Sequence, residues 1–114
     1  MKRLLPLSAL TLAACATAGL SLSPAAARGQ ALAGSNCATC HAVGRDAGQS
    51  PNPQAPPFEL IANQPGLTRE TLGTFLRDAH NYPGAMQFTL DPAAADDLAA
   101  YMLTLRRDDY HPPI

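Results

Sequence analysis

The chain has 114 residues, 46% of them hydrophobic but only 5% aromatic, with 11 prolines and a formal net charge of −1. This length fits one small domain. The absence of a basic excess argues against nucleic acid or an anionic lipid surface as the main partner.

The first residues are read as a targeting segment. Lys2 and Arg3 form a short basic start, residues 4–22 are apolar, and Ala25-Ala26-Ala27 provides a small-residue exit. This is the pattern of a secretory signal peptide over residues 1–27, with the working domain at 28–114. A second reading stands beside it. Leu12-Ala13-Ala14-Cys15 is similar to a bacterial lipobox, which would leave a lipid anchor on Cys15; the apolar character of the following residues favours cleavage after Ala27. Removing 27 residues leaves 87, with six Arg, no Lys and nine Asp plus Glu, a formal charge of −3. A domain this small builds a weak core and needs a staple.

Residues 28–36 are expected to form a two-turn helix leading into Cys37-Ala38-Thr39-Cys40-His41. Cys-x-x-Cys-His is the attachment signature of c-type haem. Two intervening residues let both sulfurs reach neighbouring edges of one porphyrin as thioethers, and the adjacent His41 swings under the iron. Other uses of a Cys-x-x-Cys pair fit less well. A structural zinc site needs a second ligand pair, which this sequence lacks near the first. A redox dithiol belongs at a helix start within a βαβ pattern, and no such pattern is present. Covalent haem is the expected staple, and folding is expected to depend on it. Of the three cysteines, Cys15 lies in the targeting segment and the other two are taken by haem, so no disulfide is expected.

Residues 44–57 read as loop, with Pro51, Pro53, Pro56 and Pro57 excluding a helix interior or a central strand. Phe58, Leu60 and Ile61 form a short apolar cluster expected to pack on the haem. After Pro65-Gly66, Thr68 is expected to cap a helix whose buried stripe is Leu72, Phe75, Leu76 and Ala79. A loop over residues 81–90 follows. Asp91 then caps the last helix with Pro92 at its first position. Its stripe is expected to be Ala94 or Ala95, Leu98, Tyr101 or Met102, and Leu105. Asp96 and Asp97 fall early and Arg106 and Arg107 late, an order the helix dipole favours. Residues 108–114 read as a frayed tail. The fold class is all-α.

These features together resemble class I monohaem c-type cytochromes of the small bacterial periplasmic type. The resemblance rests on Cys37–His41 near the start, Pro56 in Ala55-Pro56-Pro57-Phe58, Met86 in a late loop, and the terminal helix. It implies a small cytochrome c fold of three or more short helices around one covalent haem c. It also implies a crossing of the first and last helices through Gly29 and Ala33 against Leu98 and Tyr101. His41 would be the proximal iron ligand, steadied by the carbonyl of Pro56. The family's usual sixth ligand is a methionine thioether, which raises the potential and closes the iron to small molecules.

Two methionines remain after processing. Met102 sits at helical apolar spacing and reads as core. Met86 sits in a loop beyond Pro83-Gly84, far enough from His41 to return on the opposite face, although Gln87 follows it where many relatives have proline. His80, at a helix end, and His111, in the tail, are rivals that would give bis-histidine ligation. Tyr82 and Phe88 flank Met86 and would shield the crevice. The function implied is a periplasmic electron carrier rather than an enzyme. Redox proteins would dock transiently at the haem edge, with membrane contact only through them or through a lipid anchor at Cys15. Two alternatives remain: a haem-based ligand-binding or peroxidatic protein with a weak or open sixth site, and a cytochrome subunit of a larger complex.

Overall fold

The computed structural model describes residues 21–79 and 89–112. Four α-helices and no strand occur among these residues: α1 (Pro24–Leu32), α2 (Phe58–Ala62), α3 (Arg69–Ala79) and α4 (Pro92–Leu103). The all-α class follows directly from the proline-rich middle, which can neither pair as a central strand nor extend a helix.

Helix α1 begins four residues before the expected start at Arg28. Ser23 is its N-cap in extended conformation, its side chain accepting a hydrogen bond from the Ala26 amide at 3.2 Å, and Pro24 occupies the first turn. Proline has no amide to leave unsatisfied there and its φ is already helical. The Ser-Pro-Ala-Ala-Ala string serves as a helix start because alanine has the strongest helix preference. Ala26 faces inward at 2% exposure, and Leu22 packs against the same core.

The last turn of this segment is widened. Residues Ala33–Cys37 form a π-helical turn, closed by the Ala38 amide donating to the Ala33 carbonyl at 3.0 Å. Both Ala33 and Cys37 are thereby turned into the core. Single π-turns of this kind recur at functional sites because they re-aim the residues that follow.

Helix α4 begins as expected, with Asp91 accepting from the Ala94 amide at 2.9 Å and Pro92 in the first turn. Ala95, Leu98, Ala99, Tyr101 and Met102 are its buried residues, and Leu105 is buried just beyond its end. Helix α1 crosses α4 where Gly29 meets the Asp97 backbone; a Cβ on Gly29 would overlap the Asp97 carbonyl oxygen and lie 2.8 Å from the Tyr101 Cβ. Only glycine allows this approach. Arg28 closes the same crossing from outside, its guanidinium donating to both carboxylate oxygens of Asp97 at 2.7 and 2.8 Å.

The charges at the other end of α4 differ from expectation. The helix stops at Leu103, so Arg106 and Arg107 lie beyond it and do not sit in its last turn. Arg45 takes that place by donating to the Thr104 carbonyl at 2.6 Å, putting a cation at the negative end of the helix dipole. Arg106 instead donates to the Ala62 carbonyl at 2.7 Å and to the Leu67 carbonyl, tying the exit of α2 and the start of α3 to the chain after α4.

Helix α3 starts with a reciprocal cap. The Thr71 amide donates to the Thr68 hydroxyl at 3.1 Å and the Thr68 amide to the Thr71 hydroxyl at 3.0 Å. Leu72 and Leu76 are buried as expected, but Phe75 is 51% exposed. The stripe therefore splits between two faces: Leu72 and Leu76 meet the core while Phe75 turns toward a cleft.

Candidate haem site

Cys37 ends the π-turn, and the chain reverses at once, with the Cys40 and His41 amides both donating to the Cys37 carbonyl at 3.1 and 2.8 Å. Cys37 is buried and Cys40 exposed, and no disulfide joins them. Burial pushes the Cys37 thiol up to about 11, because the surrounding core disfavours a thiolate.

His41 is buried, and its Nδ1 lies 2.7 Å from the Pro56 carbonyl oxygen. A carbonyl oxygen can only accept, so Nδ1 carries the proton and donates it; the imidazole lone pair is then on Nε2. The Phe58 ring lies beside the imidazole, with centroids 5.2 Å apart and planes inclined at 50°. Hydrogen bond and ring contact together fix both the tautomer and the rotation of His41.

The segment carrying Pro56 is itself clamped. The Phe58 amide donates to the Ala42 carbonyl at 2.9 Å, and the Ala42 amide to the Ser50 hydroxyl at 3.0 Å. Farther along, the Asp46 amide donates to Glu59 Oε2 at 3.1 Å, and the Tyr101 hydroxyl of α4 donates to the Val43 carbonyl at 2.9 Å. The loop after His41 is thus held against α2 on one side and α4 on the other. Arg107 completes this holding. Its guanidinium donates to Asp46 at 2.8 Å and lies 3.4 Å from the buried Glu59 carboxylate.

Sequence reading missed this cluster. Glu59 was legible only as a lone carboxylate inside the apolar run Phe58-Glu59-Leu60-Ile61, the one local sign that a cation must come to it.

An apolar cleft of about 360 Å³ opens next to Pro56, between Leu60, Ile61, Leu67, Leu72 and the exposed Phe75. Pro56 links the two halves of the site: its carbonyl holds His41 and its ring lines the cleft. Cys37 and Cys40, with His41 fixed between Pro56 and Phe58 and an apolar cleft on the other side of Pro56, supply the attachment points, ligand and apolar wall that a covalent haem needs. The residues present fit a haem.

Met86, His80, Tyr82 and Phe88 lie outside the described residues. Met102 is fully buried in the core, and His111 is exposed, lining a separate cleft beside Arg107 and Tyr110. The chain around Tyr110 is less free than a frayed tail, since the Arg107 guanidinium stacks over the Tyr110 ring at 5.8 Å.

A helical domain with these features is a c-type cytochrome domain. The family described as cytochrome c oxidase, cbb3-type, subunit III matches residues 24–102, and the chain belongs to it. No curated protein and no solved structure matches the chain. As a member of this family the protein binds one covalent haem c and has a role in electron transfer with redox partners. Domains of this kind are exported and receive haem outside the cytoplasm. Among the described residues no helix is long and apolar enough to cross a membrane.

Proposed function

We propose that the protein is a periplasmic electron carrier whose haem is held by thioethers to Cys37 and Cys40 and ligated by His41 on one face and Met86 on the other. The observation that carries this reading is the hydrogen bond from His41 Nδ1 to the Pro56 carbonyl at 2.7 Å. It fixes the tautomer that leaves Nε2 as the ligating atom and makes the imidazole a stronger donor.

The haem supplies the one-electron chemistry of its iron. The work of the protein is positional. Pro56 and Phe58 keep the His41 ring from rotating, and Leu60, Leu72 and Phe75 line the apolar cleft beside Pro56 against which a haem could pack. Met86 is given the sixth position because its sequence setting after Pro83-Gly84 is one in which methionine has no core-packing role to fill, whereas Met102 is buried in the core. Met/His ligation sets a high potential and excludes small molecules from the iron. Cys40 is exposed and Cys37 buried, which favours a ring edge open to solvent on the Cys40 side, where redox partners dock through a small transient interface.

A second reading is favoured by one observation. The description of the family names an oxidase subunit. In that reading the same site delivers electrons within a permanent complex.

The two are tested together on protein purified from a host with cytochrome maturation. Intact mass should show one haem added and retained in acidic organic solvent, and the ferric spectrum should show the weak long-wavelength band of methionine–iron ligation. Rapid carbon monoxide binding by the unmutated protein would overturn the carrier reading in favour of a ligand-binding or peroxidatic one. Size exclusion from the native host separates a carrier, eluting as a small monomer, from a subunit eluting with a large assembly.

A further inference from the structure

The start of α1 bears on where the exported chain is cut. Ala25-Ala26-Ala27 has the composition of a signal-peptidase site, yet the same residues are the first turn of a folded helix. Ser23 caps that helix through the Ala26 amide at 3.2 Å, and the Ala27 amide donates to the Ser23 carbonyl at 2.9 Å. Ala26 is 2% exposed within the core, and Leu22, the residue before the cap, packs against the same core. Independently, the family match begins at residue 24, inside this turn.

Cleavage after Ala27 would remove all of this. It would also place the new α-ammonium of Arg28 at the positive end of the helix dipole, where a cation is disfavoured. Gly29 would become the second residue of the chain. The weakest helix former of the segment would then have to nucleate the turn that makes the α1–α4 crossing.

We propose that export processing cuts this chain N-terminal to Leu22, so that the mature protein keeps Leu22–Ala27 as the cap and first turn of α1. The sequence offers earlier exits of suitable composition at Ala16-Thr17-Ala18 and before Cys15 in Leu12-Ala13-Ala14-Cys15. Either leaves the cap and its hydrophobic neighbour in place.

The test uses the full precursor, exported and matured in a bacterial host, followed by tryptic mapping of the purified holoprotein. The expected result is an N-terminal tryptic peptide that ends at Arg28 and contains Leu22-Ser23-Pro24-Ala25-Ala26-Ala27. A mature N-terminus at Arg28, or anywhere within residues 23–27, overturns the proposal. Two variants read the same question without relying on peptide recovery. Ala27 is exposed, so Ala27→Gln should leave both the mature N-terminus and the yield unchanged; accumulation of uncut precursor would show that the cut lies there. Ser23→Ala should lower the melting temperature of the mature holoprotein by several degrees, as loss of an N-cap does in a small domain. An unchanged melting temperature would mean that Ser23 is absent from the mature chain.

Discussion

Gly29 of α1 lies flat against the backbone carbonyl of Asp97 in α4, and this contact sets how closely the two ends of the domain approach. A chain with a small core depends on such close packing more than a large domain does.

Gly29→Ala is therefore expected to destabilise the holoprotein despite alanine's better helix preference. The added methyl must push α1 off α4, which typically costs about 1–3 kcal/mol. Gly34→Ala is the control, because a Cβ there meets no atom within 4 Å. It should be neutral or stabilising by up to roughly 1 kcal/mol. Thermal unfolding of both variants, followed at the haem band, checks the pair.

Met86→Ala is expected to lose the methionine–iron band, lower the reduction potential and open the iron to carbon monoxide. Met102→Leu should leave all three unchanged, since Met102 is fully buried and the swap preserves volume at a cost below about 1.5 kcal/mol. If Met86→Ala keeps the wild-type spectrum and His80→Ala loses it, ligation is bis-histidine.

Arg107→Leu is expected to destabilise the fold measurably, because it strands the buried Glu59 carboxylate without its cation. The double variant Glu59→Leu with Arg107→Leu should recover part of that loss, as removing both members of a buried pair generally does. Denaturant unfolding of the two singles and the double measures the coupling. Additive losses would show that the pair does not act as a unit.

Asp97 gives the domain an acid-sensitive element. The hydrogen bond from Arg28 holds its carboxyl below the ordinary aspartate value of 3.8. A pKa lowered by folding contributes stability that is in place above the ordinary value and is lost as pH falls through the lowered one. Wild type should thus melt higher than Asp97→Asn near pH 7, with the gap closing below pH 3.8. Arg28 is well exposed, so added salt should also narrow the gap at neutral pH.

Much of this architecture could be read locally. Asp91-Pro92 and Thr68 announce helix starts with side chains three residues from their targets, and Cys37–His41 carries the haem-attachment pattern in five consecutive positions. Where sequence and structure part, the cause is nonlocal or ambiguous. Ser23-Pro24 is as good a helix start as Asp91-Pro92, but the alanines after it also suit a cleavage site. The π-turn at Ala33–Cys37 depends on one widened hydrogen bond that no residue type signals. The partnership of Arg107 with Asp46 spans 61 positions. Phe75 fits the helical stripe of α3 by period alone, because periodicity cannot separate a side facing protein from a side facing a prosthetic group. Met86 has no comparable neighbourhood to read, since it lies outside the described residues.

The exposed face of Phe75 has a consequence for the life of the chain before it is finished. A chain without haem keeps the cleft beside Phe75 open to water, and open apolar surface is what favours capture and degradation of unfinished chains. Haem supply is therefore expected to govern the abundance of this protein as well as its colour: a cell starved of haem should contain little of the polypeptide in any form.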